Sequence, residues 1–435
     1  MPGDYLYAVN GTHASRSSLA YYQKIQYETA IQKQYAEHVK LYQILAKHKD
    51  NKIKGKQYSF LLEAEDGGNY IAVGESGYAR APNRRDGIPG YYNISGYQLS
   101  TLGISIPMEA TKGSDATFLD VSPDEIEKAT KRMQRHLGRQ LFGDGTCLMG
   151  RVTNGGGSTT TGLIVDTGVY PKTNRHLRKN DTITFWSALT GNTARTGNSG
   201  VSTVTDVSAD GTTFAIDAAV SDMGTTDYFT FNGNREYSSG DLYHEMAGLG
   251  AISSTSAVLG NINPATAGQG SWQAIVDMNG GAQRTYNPDL IFDAVMAAQE
   301  GDMDPDMWLT SKESVRVHNA VQSNLLRIGL GELGDVRRNK AELTFPTYSG
   351  SGEFTLSPQM DRYAPPGDHW IFPSEALKLM VFIDNEFLDK NIMERIPRSL
   401  YKEGQLCFAG QIVTLRRNVF VKVGDFGYTL LTIPR

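Results

Sequence analysis

The sequence predicts an α+β protein built on more than one core, with a small β-barrel-like domain inserted part-way along it. Three observations carry this reading. The 435 residues exceed what one core holds, because single cores stop growing at about 250 to 300 residues. Helical periodicity and strand-like alternation follow one another along the chain, so neither class has it alone. Between residues 151 and 235, Lys and Glu become scarce while Gly, Thr, Ser and Asn crowd around short alternating runs, the mark of an all-β unit set into a different background.

The first element is a helix. From Ser17 or Ser18 to about Lys49 there is no Gly or Pro, and Tyr27, Ile31, Tyr35, Val39, Tyr42 and Leu45 recur at steps of three and four. About 30 residues at ~1.5 Å each give a helix of ~45 Å. A terminal helix of that length needs a surface to lie on, in its own subunit or another.

Residues 56 to 112 read as a long hairpin. Gln57 to Leu62 and Tyr91 to Met108 are strand-like, and the stretch between them turns at Asp66-Gly67-Gly68 and carries Arg80, Arg84, Arg85 and Pro89. So few apolar residues accompany the strands that something else is expected to cover their faces. Arg80, Arg84 and Arg85 near the tip, with Glu63, Glu65 and Asp66 at its shoulder, are therefore candidate inter-subunit contacts.

Ser122-Pro123-Asp124-Glu125 combines an N-cap serine, a proline at the first helical position and a glutamate at the third, so a helix is expected from there. Along it Ile126, Met133, Leu137 and Leu141 fall in a sector of ~80°, and Lys128, Lys131, Arg132, Arg135 and Arg139 fall in one of ~100° on the far side. The reading is one core face and one basic stripe, the stripe being a candidate contact for acidic partners. Gly143-Asp144-Gly145 is expected to end the helix.

Within the insert, Thr182 to Trp186, Val201 to Val207, Thr213 to Ile216 and Tyr228 to Phe231 are expected strands, and Ala209-Asp210-Gly211 is the turn of a hairpin. The insert is expected to be a self-contained surface unit. Beyond it, Asn287-Pro288-Asp289 opens a helix to about Gln299, Met307 to Leu309 is a short strand, and Thr310-Ser311-Lys312-Glu313 caps a helix to about Ile328. Strands follow at Trp370 to Phe372, Leu377 to Ile383 and Gln411 to Val423.

Charge and cysteine content exclude several function classes. The 42 basic and 47 acidic residues leave a net charge of −5, which is no footprint of a nucleic-acid binder, so any DNA contact must be local. Cys147 and Cys407 are the only cysteines and lie far apart, encoding neither a disulfide framework nor a zinc site. Met1 to Tyr7 carries neither a basic leader nor an apolar core, and Leu377 to Ile383 is far below spanning length, so a protein made and kept in a cytosol is expected.

No motif calls for catalysis, a metal or a cofactor. Gly329 to Gly334 matches G-x-G-x-x-G but ends a helix, where a dinucleotide site must open one. Asp302, Asp304, Asp306 and Glu313 stand at calcium-loop positions, yet Met307 occupies the place that requires glycine, and a solvated acidic turn is the expectation. Histidines such as His136, His176, His244, His318 and His369 show no metal-binding spacing.

The order of these elements, with Arg139-Gln140-Leu141-Phe142-Gly143-Asp144-Gly145-Thr146 at the end of the basic helix, Pro305 to Ser311 as a strand entering a helix, and the run from Phe408 to Gly424, resembles tailed-phage major capsid proteins of the Hong Kong ninety-seven fold. The resemblance spans nearly the whole chain. It implies an N-terminal arm at 1–55, an extended loop at 56–112, a peripheral domain from 113–150 and 376–404, the inserted β domain at 151–235, and an axial domain from 236–375 and 405–435. The implied function is that of a structural subunit, not an enzyme. It would assemble with copies of itself into hexamers and pentamers of an icosahedral or prolate shell around the phage genome. The implied partners are a portal protein, packaged double-stranded DNA held by weak non-specific contact, and a decoration protein, with no membrane. The founding member carries a long cleaved scaffolding segment, for which the arm here is too short, so a separate scaffolding protein is expected. That member also joins subunits through Lys and Asn side chains, and no asparagine lies between Asn391 and Asn418 to serve here. The same fold builds bacterial nanocompartments that hold enzymes, and a carbohydrate-binding virion protein built around the insert is the alternative from a different class.

Overall fold

A computed structural model of the chain describes residues 41, 44–45, 49–50, 57–63, 87–93, 96–105, 121–157, 159–191, 194–237, 241–299, 303–326, 343–346, 353–387, 394–395 and 401–430. They divide into two units. One takes its described residues from 97–137 and 382–409, and the other from 38–96, 138–381 and 410–430.

In the smaller unit β4 (Gln98–Ser105) lies antiparallel on β21 (Tyr401–Thr414), from Gln98 opposite Phe408 to Ser105 opposite Tyr401. The short β20 (Glu394–Arg395) pairs with β21 at Lys402 and Glu403. Helix α1 (Val121–Gln140) buries Ala129, Met133 and Leu137 at helical spacing. The Ser100 hydroxyl donates to the Ala129 carbonyl at 3.2 Å, so the helix rests over the Ser100 side of β4. Its regular turns stop at Gln140, and Leu141-Phe142-Gly143 closes as a turn through the bond from Gly143 N to Gln140 O at 3.0 Å. Gly145 then takes φ +86°, which glycine adopts without strain.

In the larger unit the insert is a barrel. The strands β5 (Leu148–Arg151), β6 (Leu163–Ile164), β7 (Thr182–Trp186), β8 (Ser202–Val207), β9 (Thr213–Ile216) and β10 (Tyr228–Phe231) run in the order β5-β10-β7-β8-β9-β6. An antiparallel bridge between Val152 and Val165 closes β6 back onto β5, helped by Thr153 N to Ile164 O at 3.0 Å and Asp166 N to Arg151 O at 2.8 Å. Alternation along the strands turns Phe185, Phe214, Ile216, Phe229 and Leu163 into one shared interior. The barrel thus begins at Leu148, three residues ahead of the composition change.

Two small hairpins and a five-stranded sheet follow the barrel in this unit. β11 (Arg235–Tyr237) pairs with β12 (Asp241–Tyr243), and β15 (Leu343–Pro346) with β16 (Glu353–Leu356). The sheet runs β13 (Ile275–Asp277), β22 (Val421–Val423), β18 (His369–Phe372), β14 (Met307–Thr310), β17 (Gln359–Met360). After the one-turn α2 (Leu249–Ile252), helices α3 (Pro288–Gln299) and α4 (Lys312–Leu326) cover one face of that sheet. Ile291 and Val295 of α3 and Val317 and Val321 of α4 pack with Trp308, Ile371, Val421 and Val423 in a single core.

The expected strand from Gln411 to Val423 is broken at residues 415–420, where Arg417 turns inward. Its guanidinium, fully buried, donates to the carbonyls of Ala251, Ile252 and Ala257 at 2.7 to 2.8 Å, supplying donors to the carbonyls at the end of α2. Burial lowers its pKa to about 10.

Of the expected N-terminal helix, Leu41, Ile44 and Leu45 are described, helical and buried, with Leu41 N donating to Asp361 Oδ2 at 2.9 Å. The rest of it lies outside the described residues. β1 (Lys49–Asp50) runs parallel to β19 (Leu377–Phe387) at Leu379 and Met380. No helix among the described residues is long and apolar enough to cross a membrane.

Candidate assembly surfaces

The hairpin differs from its expectation in both extent and support. β2 (Gln57–Glu63) pairs with β3 (Gly87–Asn93) from Gln57 opposite Asn93 to Glu63 opposite Gly87. The run from Tyr91 to Met108, read as one strand, is two. Gly96 interrupts it, where a Cβ would press on the backbone of His244, and β4 leaves the hairpin for β21. The base is also seated on its own chain. Phe60 stacks on Tyr92 with centroids 5.4 Å apart and lies 5.7 Å from the buried Trp272. The Tyr92 hydroxyl donates to Thr414 O at 2.9 Å, and Tyr91 N donates to Gly260 O at 2.8 Å. Gly90 is small because a Cβ there would run into the Phe60 ring. These aromatics cover one face of the hairpin, and the other carries Leu61, 65% exposed, opposite Pro89. Arg80, Arg84, Arg85, Glu65 and Asp66 lie outside the described residues, as does the Glu63 side chain.

The basic stripe separates into different environments. Lys131 pairs with Glu127 one turn earlier at 2.8 Å, with both side chains partly exposed. Arg132 is exposed and reaches the Thr101 carbonyl at 3.2 Å. Lys128 and Arg135 are half-buried. Arg139 is not on the exposed face at all. It is 1% exposed, ion-paired with Glu245, bonded to Leu148 O at 3.2 Å, and 5.6 Å from the Phe231 ring. Burial opposes its charge, and Glu245 more than offsets that, raising its pKa. The stripe fails at Arg139 because α1 is covered on all sides near its end, a tertiary fact that helical phase does not encode.

The insert is not self-contained. From Tyr170 to Arg178 its chain leaves the barrel wall and plugs into the main fold. Lys172, 4% exposed and at φ +64°, places its ammonium 2.7 Å from Asp368 Oδ1 and 2.7 Å from Asp425 Oδ1. Asp425 Oδ2 accepts from the amides of Asn279 and Gly281 at 2.9 and 2.8 Å. Burial pushes the Asp425 carboxyl up, and the Lys172 ammonium with these amides more than reverses it, leaving the pKa below the ordinary carboxylate value. Arg175 pairs with the buried Glu313 at 2.5 Å, His176 stacks on Tyr363 at 5.7 Å, and the Tyr170 hydroxyl donates to Arg139 O at 2.9 Å.

The motifs set aside from sequence are occupied in structural roles. Asp304 accepts from Gln299 at 2.7 Å, Asp306 takes the amide and hydroxyl of Ser374 at 2.5 Å each, and Glu313 holds Arg175, so these carboxylates do not converge. The glycines from 329 to 334 and Asp302 lie outside the described residues. Cys147 is buried, and burial followed by the nearby Glu245 raises its thiol pKa to about 12, which makes it inert. His369 and His318 are buried with Tyr286 and Trp308: Trp308 Nε1 donates to His369 Nδ1 at 3.0 Å, and the Tyr286 hydroxyl and His318 Nδ1 share a bond of 2.5 Å.

A groove of about 630 Å³ on the barrel is lined by Thr184, Trp186, Arg195, Asn232 and Arg235. Trp186 is 3% exposed, and the Arg235 guanidinium lies 4.1 Å over its ring. The aromatic face a sugar ring would stack on is therefore covered.

No protein-family profile matches the sequence, and no curated protein does. Solved structures do match. The cyanophage A-1(L) capsid asymmetric unit superposes over 92% of this chain and 97% of its own, with a TM-score of 0.52 at 10% identity. The capsid of a native GTA particle covers 97% of this chain and 100% of its own, at a TM-score of 0.46 and 8% identity. The holo-SrpI encapsulin of Synechococcus elongatus covers 96% and 98%, at 0.42 and 8%. At such identities the likeness is one of fold, which this chain shares with the cyanophage capsid structure over 92% of its length.

Proposed function

We propose that this chain is the major capsid protein of a tailed bacteriophage, a structural subunit that assembles with copies of itself into a closed shell. The observation that carries the reading is the fold shared with the cyanophage capsid over 92% of the chain. A catalytic fold would be expected to converge titratable groups in a cleft. Here the groups with shifted titration, Lys172, Asp425, Arg139 and His369, are buried in structural networks.

In this reading hexamers and pentamers enclose double-stranded DNA, a separate scaffolding protein guides assembly in the host cytoplasm, and a portal protein occupies one vertex. A decoration protein could bind the outer face. Residues 113–150 and 376–404 form the peripheral domain, 236–375 and 405–435 the axial domain, 1–55 the arm, and 151–235 with the plug at Lys172 an elaboration of the axial domain. Lys128, Lys131, Arg132 and Arg135 face lumen, scaffold or a neighbour, and Arg80, Arg84 and Arg85 reach a neighbouring copy, with Glu63, Glu65 and Asp66 as counterparts. DNA contact is weak and local because the net charge is −5.

The test is the content of purified particles. Nuclease-protected double-stranded DNA inside shells of this protein supports the reading. Shells holding a cargo protein and no DNA would assign the chain to nanocompartments instead.

A further inference from the structure

Helices α3 and α4 lie side by side on one face of the sheet β13-β22-β18-β14-β17, and each leaves a stripe of one sign uncovered. On α3, Asp289, Phe292, Asp293 and Met296 recur at steps of three and four and are all exposed, Phe292 by 37% and Met296 by 38%, while Ile291, Ala294, Val295 and Ala298 face the core. This stripe is apolar and acidic. On α4 the outward residues are Lys312, Arg316 and Ala320, and the adjacent turn adds Arg362 and Met360, which is 61% exposed. The lowered pKa of Lys312 comes from burial and then from Arg175 and Arg362, which places the three cations together. That patch is apolar and basic.

The placement of the two patches carries the inference. α3 packs on β22 and β13 at one end of the strand order, and α4 packs on β17 at the other. Four inter-strand steps of ~4.8 Å separate these edges by roughly 19 Å. Patches of opposite sign on separate helices of one rigid layer cannot meet within the subunit, so the complement of each is the other patch on a second copy. A two-fold pair matches the patches reciprocally, and a head-to-tail contact matches them one at a time; the head-to-tail contact repeated by a closing rotation makes a ring.

We propose that the acidic α3 stripe of one copy docks on the basic patch of the next, around Arg316, Arg362 and Met360, as the head-to-tail contact that the shell reading requires within a capsomer. The occupant is thus a second copy of this chain. The inference rests on the shell reading and deepens it, by naming which faces meet. Phe292 and Met296 lie against Met360 and the aliphatic stems of the arginines, and Asp289 and Asp293 face the guanidiniums. The charges set register and exclude the reverse orientation.

The experiment uses the full chain, expressed with its scaffold where one is needed. Sedimentation and electron microscopy measure the threshold concentration for assembly. The pairs Asp289→Lys with Asp293→Lys, and Arg316→Glu with Arg362→Glu, are each expected to raise that threshold at least tenfold. The chain carrying all four changes is expected to return within about threefold of the unchanged protein, because the attraction is restored with its sign exchanged. These side chains are exposed, and unchanged circular dichroism and melting would confirm that each variant folds. Should a reversal variant misfold, Asp289→Asn with Asp293→Asn supplies the same readout, with a raised threshold that no longer responds to added salt. Assembly of the unchanged chain with no effect of either reversal, or with no recovery in the fourfold variant, overturns this contact and leaves the shell reading standing. A chain that never assembles, with scaffold or without, removes both.

Discussion

The ammonium of Lys172 sits 2.7 Å from Asp425 Oδ1, 253 positions away in sequence, and both side chains are almost fully buried. This pair, completed by Asp368, fastens the inserted barrel to the main sheet. Removing the cation alone leaves two buried carboxylates facing each other. Lys172→Ala is therefore expected to cost about 3–5 kcal/mol, the usual effect of breaking a buried ion pair from one side. Denaturant unfolding measures it, and a loss below ~1 kcal/mol would show that water reaches the site.

The same geometry reverses the expectation that the insert can be excised. A chain with residues 155–232 replaced by a short linker loses Lys172, Arg175 and Tyr170 at once. It is expected to lose its cooperative unfolding transition, read by circular dichroism during denaturation. Retention of a sharp transition would mean that Asp368, Asp425 and Glu313 find other partners.

Arg139 and Lys131 stand two turns apart on α1 and should respond very differently. Arg139→Gln unpairs the buried Glu245 and is expected to cost about 3–5 kcal/mol. Lys131→Gln removes a solvent-exposed pair with Glu127 and should change stability by less than ~0.5 kcal/mol. Equal effects would contradict the environments described for them.

Acid sensitivity follows from the buried imidazoles. Burial, then the neighbouring His318, lowers the His369 pKa to about 3, and burial with the nearby arginines holds His176 well below its ordinary value. Both are neutral when folded and take up a proton when unfolded. Stability is thus full above the unfolded value of ~6.5 and falls as the pH drops below it, by ~1.4 kcal/mol per pH unit for each histidine. Asp425, depressed when folded, adds a further loss only as the pH falls below its unfolded value of about 4. His369→Gln should lessen the slope of stability against pH between 6 and 4.5, measured by denaturant titration. An unchanged slope would mean that His369 is hydrated.

The hairpin gives a prediction with two separable parts. Phe60→Ala is expected to loosen the base from Trp272 and Tyr92, lowering stability by about 1–3 kcal/mol and opening Gln57–Glu63 to proteases. Deleting residues 65–90 removes part of β3 but spares the aromatic core of this unit. It should leave a folded chain that cannot form shells. Shells of normal size from that deletion would show that the excursion is not an assembly element.

What the sequence made legible was what local pattern controls. The strands Thr182–Trp186, Thr213–Ile216 and Tyr228–Phe231 fall where alternation put them, and α3 and α4 open at their Asn287-Pro288 and Ser311-Lys312 signals. Residues governed by distant partners were not legible. Arg139 has the helical phase of a surface stripe, and only Glu245, 106 positions on, explains its burial. Lys172 follows the cis peptide Tyr170-Pro171, and nothing near it in sequence announces Asp368 or Asp425. The division of Tyr91 to Met108 into β3 and β4 rests on Gly96 meeting His244, again a contact across the fold. The α3 and α4 stripes were not read from the sequence, because which helical face is exposed depends on the sheet that covers the other.

The measurement that tests the central claim most directly is cryo-electron microscopy of particles formed by the full chain, expressed alone and with candidate scaffolding proteins. The account predicts closed shells of pentamers and hexamers, icosahedral or prolate. Their subunit density should hold the closed six-stranded barrel pinned at Lys172, with β2 and β3 seated on their own subunit and the excursion between them reaching a neighbouring copy. A chain that stays monomeric at every concentration, or that forms open filaments with no closed shell, would contradict it.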